Sequence, residues 1–382
     1  MGAKAISFVV IILLTRVLTI EEYGVYNFSI AIASWFLVIS DTGIGWFVFN
    51  KALDKNKGQL NLAINSRLIQ SILVLFIVPL LFNATRESFL IAFLITFFFL
   101  NTGFVKFLQT MFRGFGHNKN DMILATAEPL IRLMFLASVY FLNIEINLLQ
   151  VCMVFSIIGL MLTVLFLGVN VKKLGYQLAL PKWQEYTVLL GQTKIYFLYQ
   201  FFQVGTARLD VFFLEKYLGA KGVAIYSSAY NLYAALTLFF LAAITANIKF
   251  LFGKMQLRYF LFLIIGAALV AVLYKFYFIE WFTVIYPKEY VQGSFLMLIF
   301  LFCLPFYAGY QLKLFHNNYV GKTSLTAITF GIVFFSKLIC YFLLDLRTPM
   351  NATMYFCVFE VATFILIYSI GKTRSNEGTT DQ

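Results

Sequence analysis

Charge is what this chain is short of. Only 12% of its 382 residues are Asp, Glu, Lys or Arg, while 61% are hydrophobic and 19% aromatic; soluble domains carry about 25% charged residues. A water-soluble globular protein is thereby excluded. Also missing is a polar stretch long enough to hold a folded catalytic domain, and no metal, nucleotide or nucleophile motif occurs. A polytopic glycosyltransferase or polysaccharide polymerase would need a substantial external loop with acidic or basic catalytic residues. The one candidate pair, Glu21 and Glu22, sits in a short turn and reads better as the negative start of a helix. Histidine is nearly absent, and His117 and His316 both fall near helix ends, which favours loop roles over a proton relay. The four cysteines, Cys152, Cys303, Cys340 and Cys357, stand singly in apolar runs with neither metal-ligand nor disulfide-framework spacing, so they read as buried free thiols. Alternation of polar and apolar residues at every second position is lacking as well, which argues against a β-barrel.

What is present is a succession of about twelve apolar runs, each near the ~20 residues that a helix needs to cross a ~30 Å hydrocarbon core. The chain therefore reads as an all-α polytopic membrane protein. The runs are roughly 3–18, 24–49, 60–82, 88–112, 121–142 and 146–169, then 188–214, 223–251, 259–279, 293–315, 324–344 and 351–370. Between the sixth and seventh lies the longest internal polar segment, with Lys172, Lys173, Pro181 and Lys182. This gives an N-lobe at 1–169, a cytoplasmic linker at 170–187, a C-lobe at 188–371 and a polar, disordered tail at 372–382. A faint repeat supports two six-helix lobes. Leu14, Arg16, Leu18, Val25 and Tyr26 stand 200 positions before Leu214, Lys216, Leu218, Ile225 and Tyr226, at the junction of the first and second helix of each set. Duplicated helix sets with a ligand site between them are a transporter architecture.

The formal net charge of +12 does not point to nucleic acid, because most basic residues fall in alternate loops, where they set membrane orientation. That alternation puts Lys51, Lys55, Lys57, Arg113, Lys119, Lys254, Arg258 and Lys322 on one side, with the linker and tail. Both termini are therefore expected in the cytoplasm.

Charges within the apolar runs carry more information, since each costs several kcal/mol unless it is paired or faces water. They are Asp41, Lys106, Glu128 and Arg132 in the first half, and Lys194, Arg208, Asp210, Lys249, Lys275, Lys313, Lys337 and Glu360 in the second. Lys194, Lys249, Lys275 and Lys313 lie near helix ends, where a long stem lets the ammonium reach the interface. Glu128 and Arg132 are four apart on one helical face and can neutralise each other, with Pro129 between them removing one backbone bond. Arg208 and Asp210 are two apart and point in different directions, so partners on other helices are expected. Lys106, Arg132 and Lys337 lie deeper. They either form a basic cavity for an anionic headgroup, supported by Arg208, or pair with Asp41 and Glu360. Asp41-Thr-Gly-Ile-Gly45 puts a carboxylate beside two glycines, where helices approach closely or unwind. Asp41, Glu128, Asp210 and Glu360 are then either structural acids or sites for a coupling Na+ or H+; no other cofactor is expected.

The segment Thr15-Arg-Val-Leu-Thr-Ile-Glu-Glu-Tyr-Gly-Val-Tyr26 resembles the Arg-x-Leu-Gly-Pro-Glu-Glu-Tyr-Gly-x-Tyr signature of Wzx-type polysaccharide and O-antigen flippases, in the MATE-like exporter superfamily. Thr19-Ile20 replaces the family's Gly-Pro, and the first run is shorter than the first helix usual there. Asp41-Thr-Gly-Ile-Gly45, Arg208-Leu-Asp210 through Tyr226, and Ile285-Tyr-Pro-Lys-Glu-Tyr290 are similar to later family elements. The resemblance implies two six-helix lobes around a cavity open alternately to either face. It also implies outward movement of undecaprenyl-diphosphate-linked oligosaccharides across a bacterial inner membrane, for O-antigen, capsule or exopolysaccharide synthesis. Expected partners are that lipid-linked oligosaccharide, membrane lipids, and a polymerase with other polysaccharide assembly proteins. The alternatives are an ion-coupled small-molecule exporter and, less favoured, a membrane glycosyltransferase or polymerase.

Overall fold

The computed structural model describes residues 2–45, 47–48, 57–81, 86–115, 118–174, 176–177, 179–246, 256–319, 322–344 and 346–373. They are helical almost throughout: α1 Gly2–Val17, α2 Ile20–Asp41, α3 Lys57–Leu81, α4 Arg86–Gly114, α5 Asn118–Phe141, α6 Leu148–Leu174, α7 Trp183–Ala246, α8 Gln256–Ile285, α9 Gly293–Tyr319, α10 Thr323–Leu343 and α11 Pro349–Thr373. A short 3-10 turn, Lys288–Tyr290, joins α8 to α9. The helix α7 is broken at Gly219, whose φ of 66° and ψ of −170° lie outside helical space. The helix α8 is likewise broken, at Tyr277, so counting each of the two as a pair makes thirteen helices among the described residues. Among the described residues eight helices are by length and hydropathy sufficient to cross a membrane, and a bent pair at 268–277 and 279–285 would make a ninth. The chain is a multi-pass membrane protein.

The break at Gly219 gives the sequence repeat a structural basis. In the first copy the helix stops at Val17 and restarts at Ile20; 200 positions later the same junction is the one-residue break before Ala220. Packing repeats too. The fourth helix of the first set, α4, packs against α3, α5 and α6, with α5 also on α6. Its counterpart α9 packs against α8, α10 and α11, with α10 also on α11.

Contacts divide the chain at different points from the repeat. One compact unit holds 3–27 and 205–382, and the other holds 28–204. In the second unit α6 meets α4 through small and hydroxylic residues, which let helices approach where lipid supplies no hydrophobic drive. Ser156 Oγ donates to the Leu94 carbonyl at 2.8 Å, and Thr163 Oγ1 to that of Asn101 at 3.3 Å. The linker is pinned rather than free. Asn65 of α3 accepts from the Tyr176 hydroxyl and the Ala179 amide, and donates to the Gln177 carbonyl at 3.1 Å.

In the other unit the segment Thr15 to Tyr26 builds a junction. The Thr19 amide donates to Glu22 Oε2 at 3.0 Å while the Glu22 amide donates to Thr19 Oγ1 at 3.2 Å. This reciprocal cap satisfies two orphan donors and starts α2. Arg16 reaches the last carbonyls of α8, Val284 at 2.9 Å and Ile285 at 3.3 Å, where a cation offsets the negative helix end. Tyr23 meets Tyr290 edge-on at 5.7 Å. Gly24 permits the closest approach, since a Cβ there would lie 1.9 Å from the Ala220 carbonyl oxygen. Further along α7, Asn231 Nδ2 donates to the Tyr23 hydroxyl at 2.9 Å. Two segments that resembled family motifs, Thr15–Tyr26 and Ile285–Tyr290, are thus in contact.

One expectation is overturned. Cys303 of α9 and Cys357 of α11 are disulfide-bonded, with Cα atoms 5.5 Å apart, whereas Cys152 and Cys340 are free. Their separation of 54 residues spans two helix connections, so no local spacing announces the pair.

Candidate functional site

Within the unit formed by 3–27 and 205–382, α10 carries Lys337 with no exposed surface. Its ammonium donates to Asp210 Oδ2 at 2.7 Å and to the Thr206 carbonyl at 2.8 Å, both on the first half of α7. The other Asp210 oxygen accepts from the Tyr341 hydroxyl, one turn further along α10. The Lys337 Nζ also faces the rings of Phe356 at 5.1 Å and Tyr341 at 5.3 Å. Four groups thus satisfy one ion pair in an environment where either charge alone would be very costly. Asp210 takes its partner from another helix, as its spacing from Arg208 required. Lys337 has no exposed surface here, and the carboxylate it meets is Asp210, not Asp41 or Glu360.

Arg208, on the same helix, is half-buried and makes no ion pair among the described residues; its guanidinium lies 5.8 Å from the centre of the Tyr230 ring. Glu360 of α11 is 9% exposed and accepts a hydrogen bond from the Tyr310 hydroxyl, while its Oε2 has no partner among the described residues. Around it Tyr230, Tyr233, Phe300, Tyr307 and Phe356 interlock, with ring centres 5.2–6.3 Å apart.

In the unit formed by 28–204, α2 ends at Asp41 because the chain then enters left-handed backbone at Thr42 (φ 43°) and Gly43 (φ 78°). A side chain at Gly43 would also strike the Thr193 carbonyl and the Phe197 amide of α7, each 2.7 Å from a Cβ. Unwinding and close approach both occur at this one turn. It leaves Asp41 against Arg67 of α3 in a buried ion pair, with side chains 11% and 3% exposed. Gln70, three residues along α3, donates to Thr42 Oγ1 at 2.9 Å and to the Tyr186 hydroxyl at 3.0 Å, so α2, α3 and α7 are tied through one carboxamide.

Arg67 and Gln70 are functional-site candidates that sequence reasoning passed over. The signal was there: Asn61, Asn65, Arg67 and Gln70 interrupt the apolar run at 60–82.

Arg132 and Glu128 pair on α5, as their spacing implied, and the guanidinium lies 5.0 Å from the Phe98 ring and 5.2 Å from Phe155. Lys106 of α4 is exposed and makes no ion pair among the described residues. Within the unit formed by 28–204, Arg132 is paired with Glu128 while Lys106 makes no ion pair among the described residues; Lys337, in the other unit, is paired with Asp210. Lys194 and Lys275 are exposed, as expected of ends that reach the interface. His117 and Lys249 lie outside the described residues. Among the described residues, no group of three or more His, Cys, Asp or Glu side chains is placed to hold a metal ion.

The helices are arranged in a MATE-like fold. The chain is similar in structure to a multidrug resistance MATE family transporter of the MOP superfamily in an inward-facing conformation, with a TM-score of 0.72, 12% identity, and 99% of this chain and 96% of that one covered. It is also similar to the lipid II flippase MurJ, inward closed, with a TM-score of 0.60, 14% identity and coverage of 100% and 92%. A MATE structure in complex with MaL6 aligns with a TM-score of 0.57 at 13% identity, covering 97% of each chain. No curated protein matches in sequence. The model of the polysaccharide biosynthesis protein family matches residues 1–249, and the chain belongs to that family.

Proposed function

We propose that this protein is a flippase that moves undecaprenyl-diphosphate-linked oligosaccharide outward across the bacterial inner membrane by alternating access, with both termini in the cytoplasm. The observation that carries this reading is the match of a polysaccharide biosynthesis family over residues 1–249 on a chain with the MOP transporter fold. The lipid II flippase among its structural neighbours handles a lipid-linked substrate and supports the same substrate class here. A diphosphate and sugar chain cannot cross hydrocarbon, so the protein must supply a hydrated, positively charged path while the polyprenyl tail stays in lipid. Arg208, within its own unit, makes no ion pair among the described residues and is the candidate cation for that path, because Lys337 of the same unit is already paired.

Coupling to a Na+ or H+ gradient falls to Glu360. Asp41, Glu128 and Asp210 each face a cation, whereas Glu360 accepts the Tyr310 hydrogen bond and makes no ion pair among the described residues. A polymerase and other polysaccharide assembly proteins are the expected functional neighbours.

The test is reconstitution in vesicles with a labelled lipid-linked oligosaccharide, following its arrival on the opposite leaflet. Protein-dependent transfer that slows on Arg208→Ala is expected; equal transfer with and without protein refutes the proposal. The likeness to a multidrug transporter, together with the aromatic cluster around Glu360, favours a second reading as an ion-coupled exporter of small organic cations. Efflux of such a cation without lipid transfer would select it.

A further inference from the structure

The connection between α9 and α10, within the unit formed by 3–27 and 205–382, gathers positive charge at the start of a helix. Lys313 and His316 stand three residues apart in the last turns of α9, on one face of it. Lys322 is the N-cap residue of α10, and the three side chains are close enough for their charges to act on one another. Lys313 is steadied by the Tyr368 ring at 6.0 Å, and the Tyr368 hydroxyl in turn donates to the Gly309 carbonyl at 3.2 Å. The carbonyl end of α9 carries only about half an elementary negative charge, and the amide end of α10 adds about as much positive charge. Two ammonium groups therefore exceed what the helix ends can offset.

Hydrogen-bond donors are left over at the same place. A lysine has no acceptor to give the first turn of α10, and no side chain caps that turn. Asn317 closes the connection, since its carbonyl accepts from the Lys322 amide at 2.7 Å. Its side-chain Nδ2 has no partner among the described residues, although Asn317 is only 2% exposed. Thr326, one turn into α10 and without exposed surface, also keeps an unpartnered hydroxyl, on a Cα–Cβ bond that tilts toward the helix start. Buried polar groups are seldom left in this state, because their desolvation is then uncompensated. An anion with several acceptor oxygens answers both the charge and the donors, and a phosphate at a helix N-terminus is such a group. Depth selects its source. The span of α9 runs to Asn317 and that of α10 starts at Thr323, so the cluster lies at the level of lipid headgroups. The geometry points to a binding site at this connection for the phosphate of an anionic membrane lipid. The site stands without the flippase reading, which supplies only the leaflet, the cytoplasmic one, and adds polyprenyl diphosphate to the lipids to be tried.

The test uses the full chain in neutral maltoside micelles, with the anisotropy of phosphatidylglycerol labelled on an acyl chain as the binding signal. Unlabelled phosphatidylglycerol, polyprenyl diphosphate, phosphatidylcholine and inorganic phosphate are the competitors. The two anionic lipids are expected to displace the probe, and phosphatidylcholine and inorganic phosphate to need about tenfold more or beyond. Tighter competition by polyprenyl diphosphate would make the lipid a substrate, and tighter competition by phosphatidylglycerol a component of the bilayer; both support the site. Lys313→Gln with Lys322→Gln removes two cations and should weaken binding about tenfold or more. Ser324 is exposed in the first turn of α10. Ser324→Asp sets a carboxylate there that supports the helix and competes with the phosphate, so binding should fall about as far with no loss in thermal unfolding temperature. Lys194→Gln removes an exposed cation of the other unit and should leave the affinity unchanged within about twofold. Unchanged binding in Ser324→Asp, an equal loss in Lys194→Gln, or competition by inorganic phosphate as strong as by the lipids overturns the proposal. Transfer in the vesicle assay separates the two readings. Transfer by a protein that binds no anionic lipid here sinks this site alone, and binding without transfer sinks the flippase reading alone.

Discussion

The Lys337–Asp210 pair allows a quantitative test of whether a membrane-embedded lysine serves the substrate or the fold. Both side chains are fully buried, and the ammonium is held at 2.7 Å from the carboxylate and 2.8 Å from the Thr206 carbonyl. Lys337→Met removes the cation and leaves the Asp210 carboxylate with neutral partners such as the Tyr341 hydroxyl, and Asp210→Asn strands the ammonium. Each single change should cost about 3–5 kcal/mol, the usual penalty for leaving one half of a buried pair. The double variant should recover most of that loss, because a methionine and an asparagine have no net charge to desolvate. The coupling between the two positions should therefore exceed about 2 kcal/mol, well outside the additivity expected of independent sites. Equilibrium unfolding in mixed detergent micelles gives the four stabilities, and lipid transfer in vesicles gives the four activities. If Lys337 is structural, activity follows stability and returns in the double variant. A double variant as stable as wild type yet as inactive as Lys337→Met would show the ammonium acting on substrate, and additive losses would show that the pair is not coupled.

Three further outcomes follow from other contacts. Arg67→Ala should destabilise by about 3–5 kcal/mol and Asp41→Asn with Arg67→Met by far less, since Asp41 and Arg67 form the equivalent buried pair of the other unit; equal losses would refute that pairing. Gly24→Ala should destabilise by at least the ~1–3 kcal/mol of an overpacked contact, because the new Cβ would meet backbone atoms of Ala220 that cannot rotate away; unchanged thermal unfolding would mean α2 and α7 are not in contact there. Glu360→Gln should keep the protein folded and remove the response of transfer to an imposed Na+ or H+ gradient, and a retained response would move coupling to another group.

Much of this architecture was legible in the sequence, because hydropathy and helix termination are local properties. The apolar runs correspond to helices among the described residues, though the run at 24–49 unwinds after Asp41 and that at 259–279 is bent at Tyr277, and the segment from Thr19 to Glu22 reads directly as a helix start. Glu128 and Arg132 could be paired from spacing alone, since the helix itself brings them together. Partner choice across helices could not be read that way. Which carboxylate meets Lys337, that Arg67 turns inward to Asp41, and that Cys303 meets Cys357 all depend on how each helix is rotated about its axis. That rotation is fixed by contacts such as Gly24 on Ala220 and Gly43 on Thr193, between residues more than a hundred positions apart. The amino-acid sequence by itself determined a polytopic helical membrane protein built on a repeat. Only the tertiary structure decided which of the described intramembrane charges neutralise one another, because desolvation makes each buried charge take its partner from whatever helix packing places within reach.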